Sequence, residues 1–139
     1  VRGMARQGSR SGRRLKMKRE ARVAFIEHVE GSTVVIVFRG GWIDAMMARR
    51  GTDLGGLKGW LEASKYCKEL SGISLGSEAA TAIGEDGAEE IASWAEGAGW
   101  EVVPLPRRSR AQARAIIDGM RRYVLSAGEW SSGPGGRRA

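Results

Sequence analysis

The run Val34-Val35-Ile36-Val37-Phe38 constrains this chain more than any other segment. Successive side chains of a strand point to opposite faces. Both faces are apolar here, so the strand belongs inside a sheet that is covered on both sides. Val23, Phe25 and Ile26 precede it across a turn at Glu30-Gly31-Ser32, and Gly40-Gly41 ends it, which reads as a β-hairpin over 21–39.

The rest of the middle alternates helix and strand. Residues 42–50, with Trp42, Met46 and Met47, read as a short helix, and 51–56 as a glycine-rich interruption. Leu57, Trp60, Leu61, Cys67 and Leu70 fall at helical spacing and predict a helix over 57–70. Residues 71–75 read as a short strand and 77–83 as a short helix stopped by Gly84. Asp86 and Glu89 have the spacing of a capping box opening a helix over 87–98. Residues 100–105 read as a strand that Pro104 confines to an edge or an end. Ser109 and Gln112 suggest a second box, opening a helix over 110–127 with Ala113, Ile116, Ile117, Met120, Val124 and Ala127 on one stripe. The expected class is α+β, a small, mostly antiparallel sheet (the N-terminal hairpin plus a later strand) packed with helices. One domain over 21–128 is expected, between a flexible basic arm at 1–20 and a flexible Gly/Arg tail at 129–139.

Charge is segregated along this layout. Residues 1–22 carry nine Lys/Arg against Glu20; residues 23–106 carry six against thirteen acids; residues 107–139 carry eight Arg against Asp118 and Glu129. Basic ends around an acidic middle point to a polyanion, and nucleic acid fits better than a membrane surface, because the tail lacks an apolar face. Neither a transmembrane helix nor a secretory signal is expected, which implies a cytoplasmic, nucleoid-associated location. The lack of Asn and the excess of Arg over Lys fit either a hot environment or a GC-rich genome.

Catalytic chemistry finds little support in the residues. A single His28 and a single Cys67 leave no internal disulfide and no His/Cys metal set, and no cofactor is expected. Cys67 reads as a buried small hydrophobe and His28 as structural or surface. Gly51-Thr-Asp-Leu-Gly-Gly56-Leu-Lys58 has the glycine density of a phosphate-binding loop. Leu57 intervenes, however, and Gly59 follows the lysine, so the segment reads as a connection before a helix. Glu85, Asp86, Glu89 and Glu90 form an acidic cluster that a helix start accounts for; a magnesium-dependent nuclease is the third-ranked alternative.

Five tryptophans against two Phe and two Tyr are more informative. Aromatic rings that stack bases, beside cations that follow phosphates, are the means by which single strands are bound. Trp42 with Arg39, Arg49 and Arg50 has that mixture, Trp60 and Trp100 are further stacking candidates, and Trp94 is assigned to the core. Arg107 and Arg108, with Arg110, sit at a strand-to-helix junction suited to fixed phosphate contacts; Arg13, Arg14, Lys16 and Lys18 of the arm would add salt-sensitive affinity.

Two stretches, Ile91-Ala-Ser-Trp94-Ala-Glu-Gly-Ala-Gly-Trp100-Glu-Val-Val and the hairpin over 21–39 behind its basic arm, resemble the ThermoDBP-related single-stranded DNA-binding proteins of hyperthermophilic archaea, across roughly residues 20–127. The resemblance implies a small antiparallel sheet packed with helices, a cleft lined by apolar and rimmed by basic side chains, oligomerisation and no catalysis. The expectation is therefore a non-enzymatic binder of single-stranded DNA, with RNA left open. An RNA-binding structural subunit of a ribonucleoprotein is the second alternative. The outward face of the last helix leaves room for a homo-oligomer.

Overall fold

The computed structural model describes residues 21–123 together with Trp130 and Ser131. Arg13, Arg14, Lys16 and Lys18, and the expected last turns of the final helix at Val124 and Ala127, lie outside the described residues.

Strands β1 (Arg22–Val29), β2 (Ser32–Arg39) and β3 (Trp42–Arg50) form an antiparallel meander. Helix α1 (Leu54–Ala63) and a single 3-10 turn (Cys67–Glu69) lead to β4 (Leu70–Leu75), which pairs parallel to β1. Helix α2 (Ser77–Ala98) leads to β5 (Glu101–Val102), parallel to β4, and helix α3 (Arg107–Tyr123) leads to β6 (Trp130–Ser131). The sheet order is β5-β4-β1-β2-β3-β6. The fold is α+β, and its sheet is mixed, with the antiparallel meander flanked on the β1 side by two parallel strands.

The two-faced strand is covered as its sequence requires. Val35 and Val37 pack with Leu57 and Leu61 of α1 and Ile91 and Ala95 of α2. Val34, Ile36 and Phe38 pack on the opposite side with Ala113, Ile117 and Met120 of α3. Each of these five strand side chains is 2% exposed or less. Each contributes roughly 1.5–3 kcal/mol of hydrophobic stabilisation.

Residues 42–50 are strand, not helix. Ala, Met and Arg favour helix intrinsically. Against that, β2 needs a backbone partner on its second edge, and Gly40-Gly41 supplies a two-residue hairpin turn. A register shift beside Phe38 leaves Asp44 without an opposite residue, since Val37 faces Ala45 and Phe38 faces Ile43. This bulge reverses the inward alternation and hides the two-residue period.

Helix boundaries also move. α1 begins at Leu54, where Asp53 caps the Gly56 N–H at 2.6 Å, and it ends at Ala63 rather than reaching residue 70. The two helices expected over 77–83 and 87–98 are joined as α2, with a break at Gly84 (φ 69°, ψ −169°), a conformation essentially confined to glycine. The second half thus starts ahead of Asp86, and the proposed capping box falls inside it. α3 starts at Arg107, with the Arg110 N–H donating to Pro106 O, so Ser109 is a buried residue of the first turn instead of a cap. The strand expected over 100–105 pairs only at Glu101–Val102, and it lies at the sheet edge. The tail expected to be unstructured is paired at Trp130–Ser131, which meet Ala48 and Met47 on the open edge of β3. Among the described residues no helix is long and apolar enough to cross a membrane.

Candidate functional site

The two faces of β4 differ in side-chain size. Ile73 and Leu75 face α1 and α2, whereas Gly72 and Ser74 face the α3 side. Among the described residues α3 is the helix that covers that side. Among the described residues a crevice lies there at each end of β1 and β4, and both have Pro104 and Leu105 in their walls.

The first crevice, about 510 Å³, lies at the carboxyl ends of β1 and β4, where open α/β sheets commonly bind ligands. Arg110, Arg114 and Arg121 line it from α3 together with Asp118, and Glu27, His28, Ser74 and Glu78 lie opposite, so the wall carries both signs of charge. The spacing of the arginines places the three guanidinium groups along one helix face. Arg110 Nη1 donates to Leu105 O at 3.2 Å. Arg121 is 3.3 Å from a Glu30 carboxylate oxygen and 3.8 Å from Asp118. Arg114 has no partner among the described residues. Exposed pairs of this kind are worth about 0–1 kcal/mol, so neither carboxylate holds Arg121 firmly.

Glu27 of β1 shares this wall but is committed internally. Its carboxylate accepts from the Ala79 N–H at 2.7 Å and the His28 N–H at 3.0 Å, and lies 3.5 Å from the Glu78 N. It thereby occupies the positive end of α2, where an external anion would otherwise bind. Gly76 is required beside it, because a Cβ there would overlap the Glu27 carboxylate.

The second crevice, about 480 Å³, lies at the opposite ends of β1 and β4 and is mainly apolar. Val23, Phe38, Val103 and Leu105 wall it, Gly40 and Gly41 of the β2–β3 turn border it, and Arg108 stands at its α3 side. Trp42 follows this turn directly and is 77% exposed. Arg39 is its cross-strand neighbour and is also exposed. Asp44 is held by Arg22 Nε at 2.6 Å and is 3.9 Å from Arg39 Nε, so most of its charge is already matched.

The structure separates the residues that the sequence grouped around Trp42. In a helix, Arg49 would lie about 10 Å along the axis from residue 42; in the strand it lies about 23 Å away. Arg49 is half-buried, 5.8 Å from the Trp60 ring centroid, and its Nε is buried without a hydrogen-bond partner. Arg50 is exposed at that same far end of β3. Trp60 is half-buried and has one face covered by Arg49, so it is not an open stacking platform. Trp100 is 7% exposed and packs edge-on against Trp94 at 5.1 Å, which removes it from the ligand contacts. Trp94 is half-buried against the core and donates its Nε1–H to Glu62 at 2.8 Å. Cys67 is half-buried rather than buried. Arg107 and Arg108 are exposed on the first turn of α3, on the same side of the sheet as the crevices.

Arg110 belongs to the junction that the sequence marks with Arg107 and Arg108; Arg114 and Arg121 do not, although arginine recurs there at helical spacing from Arg110, beside the apolar stripe. The acidic cluster does not converge. Glu90 pairs with Lys58 at 2.7 Å, and among the described residues no group of three His, Cys, Asp or Glu side chains is placed to hold a metal ion. Comparison with protein-family models, curated proteins and solved structures returns no match, and the functional reading rests on this geometry.

Proposed function

We propose that the protein binds single-stranded nucleic acid, DNA in the first place, without cleaving it. The observation that carries this reading is the pairing, along one side of α3, of an arginine-lined crevice with an apolar one. Phosphates meet Arg108, Arg110, Arg114 and Arg121, an unstacked base enters the apolar crevice, and Trp42 offers an exposed ring for a second base. Bases held inside a duplex cannot reach an apolar crevice, so single strands are preferred. The basic arm adds affinity that salt removes.

Anisotropy with a labelled single strand, the matching duplex and the matching RNA, at two salt concentrations, tests this. The single DNA strand should bind best and keep that preference at the higher salt. Trp42→Ala should weaken it by about 1–3 kcal/mol while leaving the thermal midpoint in place. Equal binding to all three probes, abolished by salt, would leave only the basic ends as binders. Tighter binding of a structured RNA would replace this reading with that of a ribonucleoprotein subunit.

A further inference from the structure

We infer that the apolar crevice selects its base, and that Glu101 makes the selection. The inference rests on the single-strand reading above. Gly72 of β4 faces Glu101 of β5 in the parallel register, and neighbours in register project to the same face of a sheet. That face is the α3 side, which places Glu101 beside Val103 on the crevice wall. The close fit of the two strands has a cause in Gly72, where a Cβ would stand 2.9 Å from the Glu101 carbonyl oxygen.

Glu101 is the one carboxylate among the described residues that line this crevice, and no hydrogen bond or ion pair of the described residues uses it. An ionised carboxylate only accepts hydrogen bonds. Set in an apolar wall, it favours a base that presents an amino group. Cytosine offers its N4 amine, adenine its N6 amine, and guanine an N1–H beside its N2 amine. Thymine and uracil instead present carbonyl oxygens on both sides of a single N–H, and those oxygens are repelled. The apolar walls contact the ring faces of every base alike, and Arg108 holds a neighbouring phosphate. At about 480 Å³ the crevice falls within the range of ordinary ligand pockets, about 300–1,000 Å³.

Labelled dC and dT oligonucleotides of equal length, titrated with the full chain at one salt concentration, read this preference directly. The dC strand should bind about tenfold more tightly than dT, as expected for one specific carboxylate contact. Glu101→Gln keeps the shape and supplies an N–H donor for a thymine oxygen, so the two affinities should converge to within about twofold. Val103→Phe, which fills the crevice with a ring, should also remove the preference. Equal affinity for dC and dT in the unaltered protein would overturn the inference and leave single-strand binding standing. So would an unchanged preference in a Glu101→Gln protein that melts normally. Failure to bind either strand would overturn both readings.

Discussion

The two faces of the sheet are built from the same strands and put to different uses. On one face, α1 and α2 seat Leu57, Leu61, Ile91 and Ala95, with Trp100 just beyond the end of α2, against Ala24, Ile26, Val35, Val37 and Ile73. On the other, α3 covers the meander, alone among the described helices, and β4 presents glycine and serine where its opposite face presents isoleucine and leucine. Both faces hold a core, and side-chain size at alternate positions of β4 decides on which face that core gives way to crevices. Stability and binding should be separable accordingly.

The largest effect should come from the packed face. Ile73→Ala removes a fully buried side chain and should cost about 2–5 kcal/mol in urea unfolding, with the affinity of the folded protein for a single strand unchanged. A loss of affinity in step with stability would show that the two faces are not independent. On the open face, replacing Arg110 and Arg114 together by Ala should flatten the log–log salt dependence of single-strand binding by about 1.4, at roughly 0.7 per lost phosphate contact. An unchanged slope would move the phosphates elsewhere. The smallest effect belongs to Arg121→Ala. Its carboxylate partners are exposed, so stability should shift by less than about 0.5 kcal/mol while binding falls. A larger loss of stability would make Arg121 part of the scaffold.

The sequence made the central strand legible because the run from Val34 to Phe38 tolerates no other environment. The stripe of α3 was legible for a similar reason: Ala113, Ile117 and Met120 repeat at helical spacing, and all three are buried. β3 was not legible. Its composition favours helix, and the bulge at Asp44 erases the alternation that would have contradicted it. The error carried into the site, since it drew Arg49 and Arg50 toward Trp42, when the strand holds them at its other end. Exposure of tryptophans was equally hidden. Trp42 and Trp100 both adjoin strands, yet one begins an edge segment beside a turn, while the other is folded under α2 against Trp94. The crevices arise from what β4 lacks and from a register between residues 72 and 101, which no local pattern encodes.

The Glu27 clasp has a consequence for the order in which the chain folds. The acceptor and the Ala79 amide it serves are 52 positions apart, and the two parts are brought together only when β4 has docked beside β1. Closing so long a segment carries an entropic cost that a local cap, such as Asp53 on α1, does not. The first turn of α1 is satisfied by its own neighbours as soon as it coils. The cap on the first turn of α2 is complete only with the sheet, which ties the start of that helix to the cooperative unit of the whole domain.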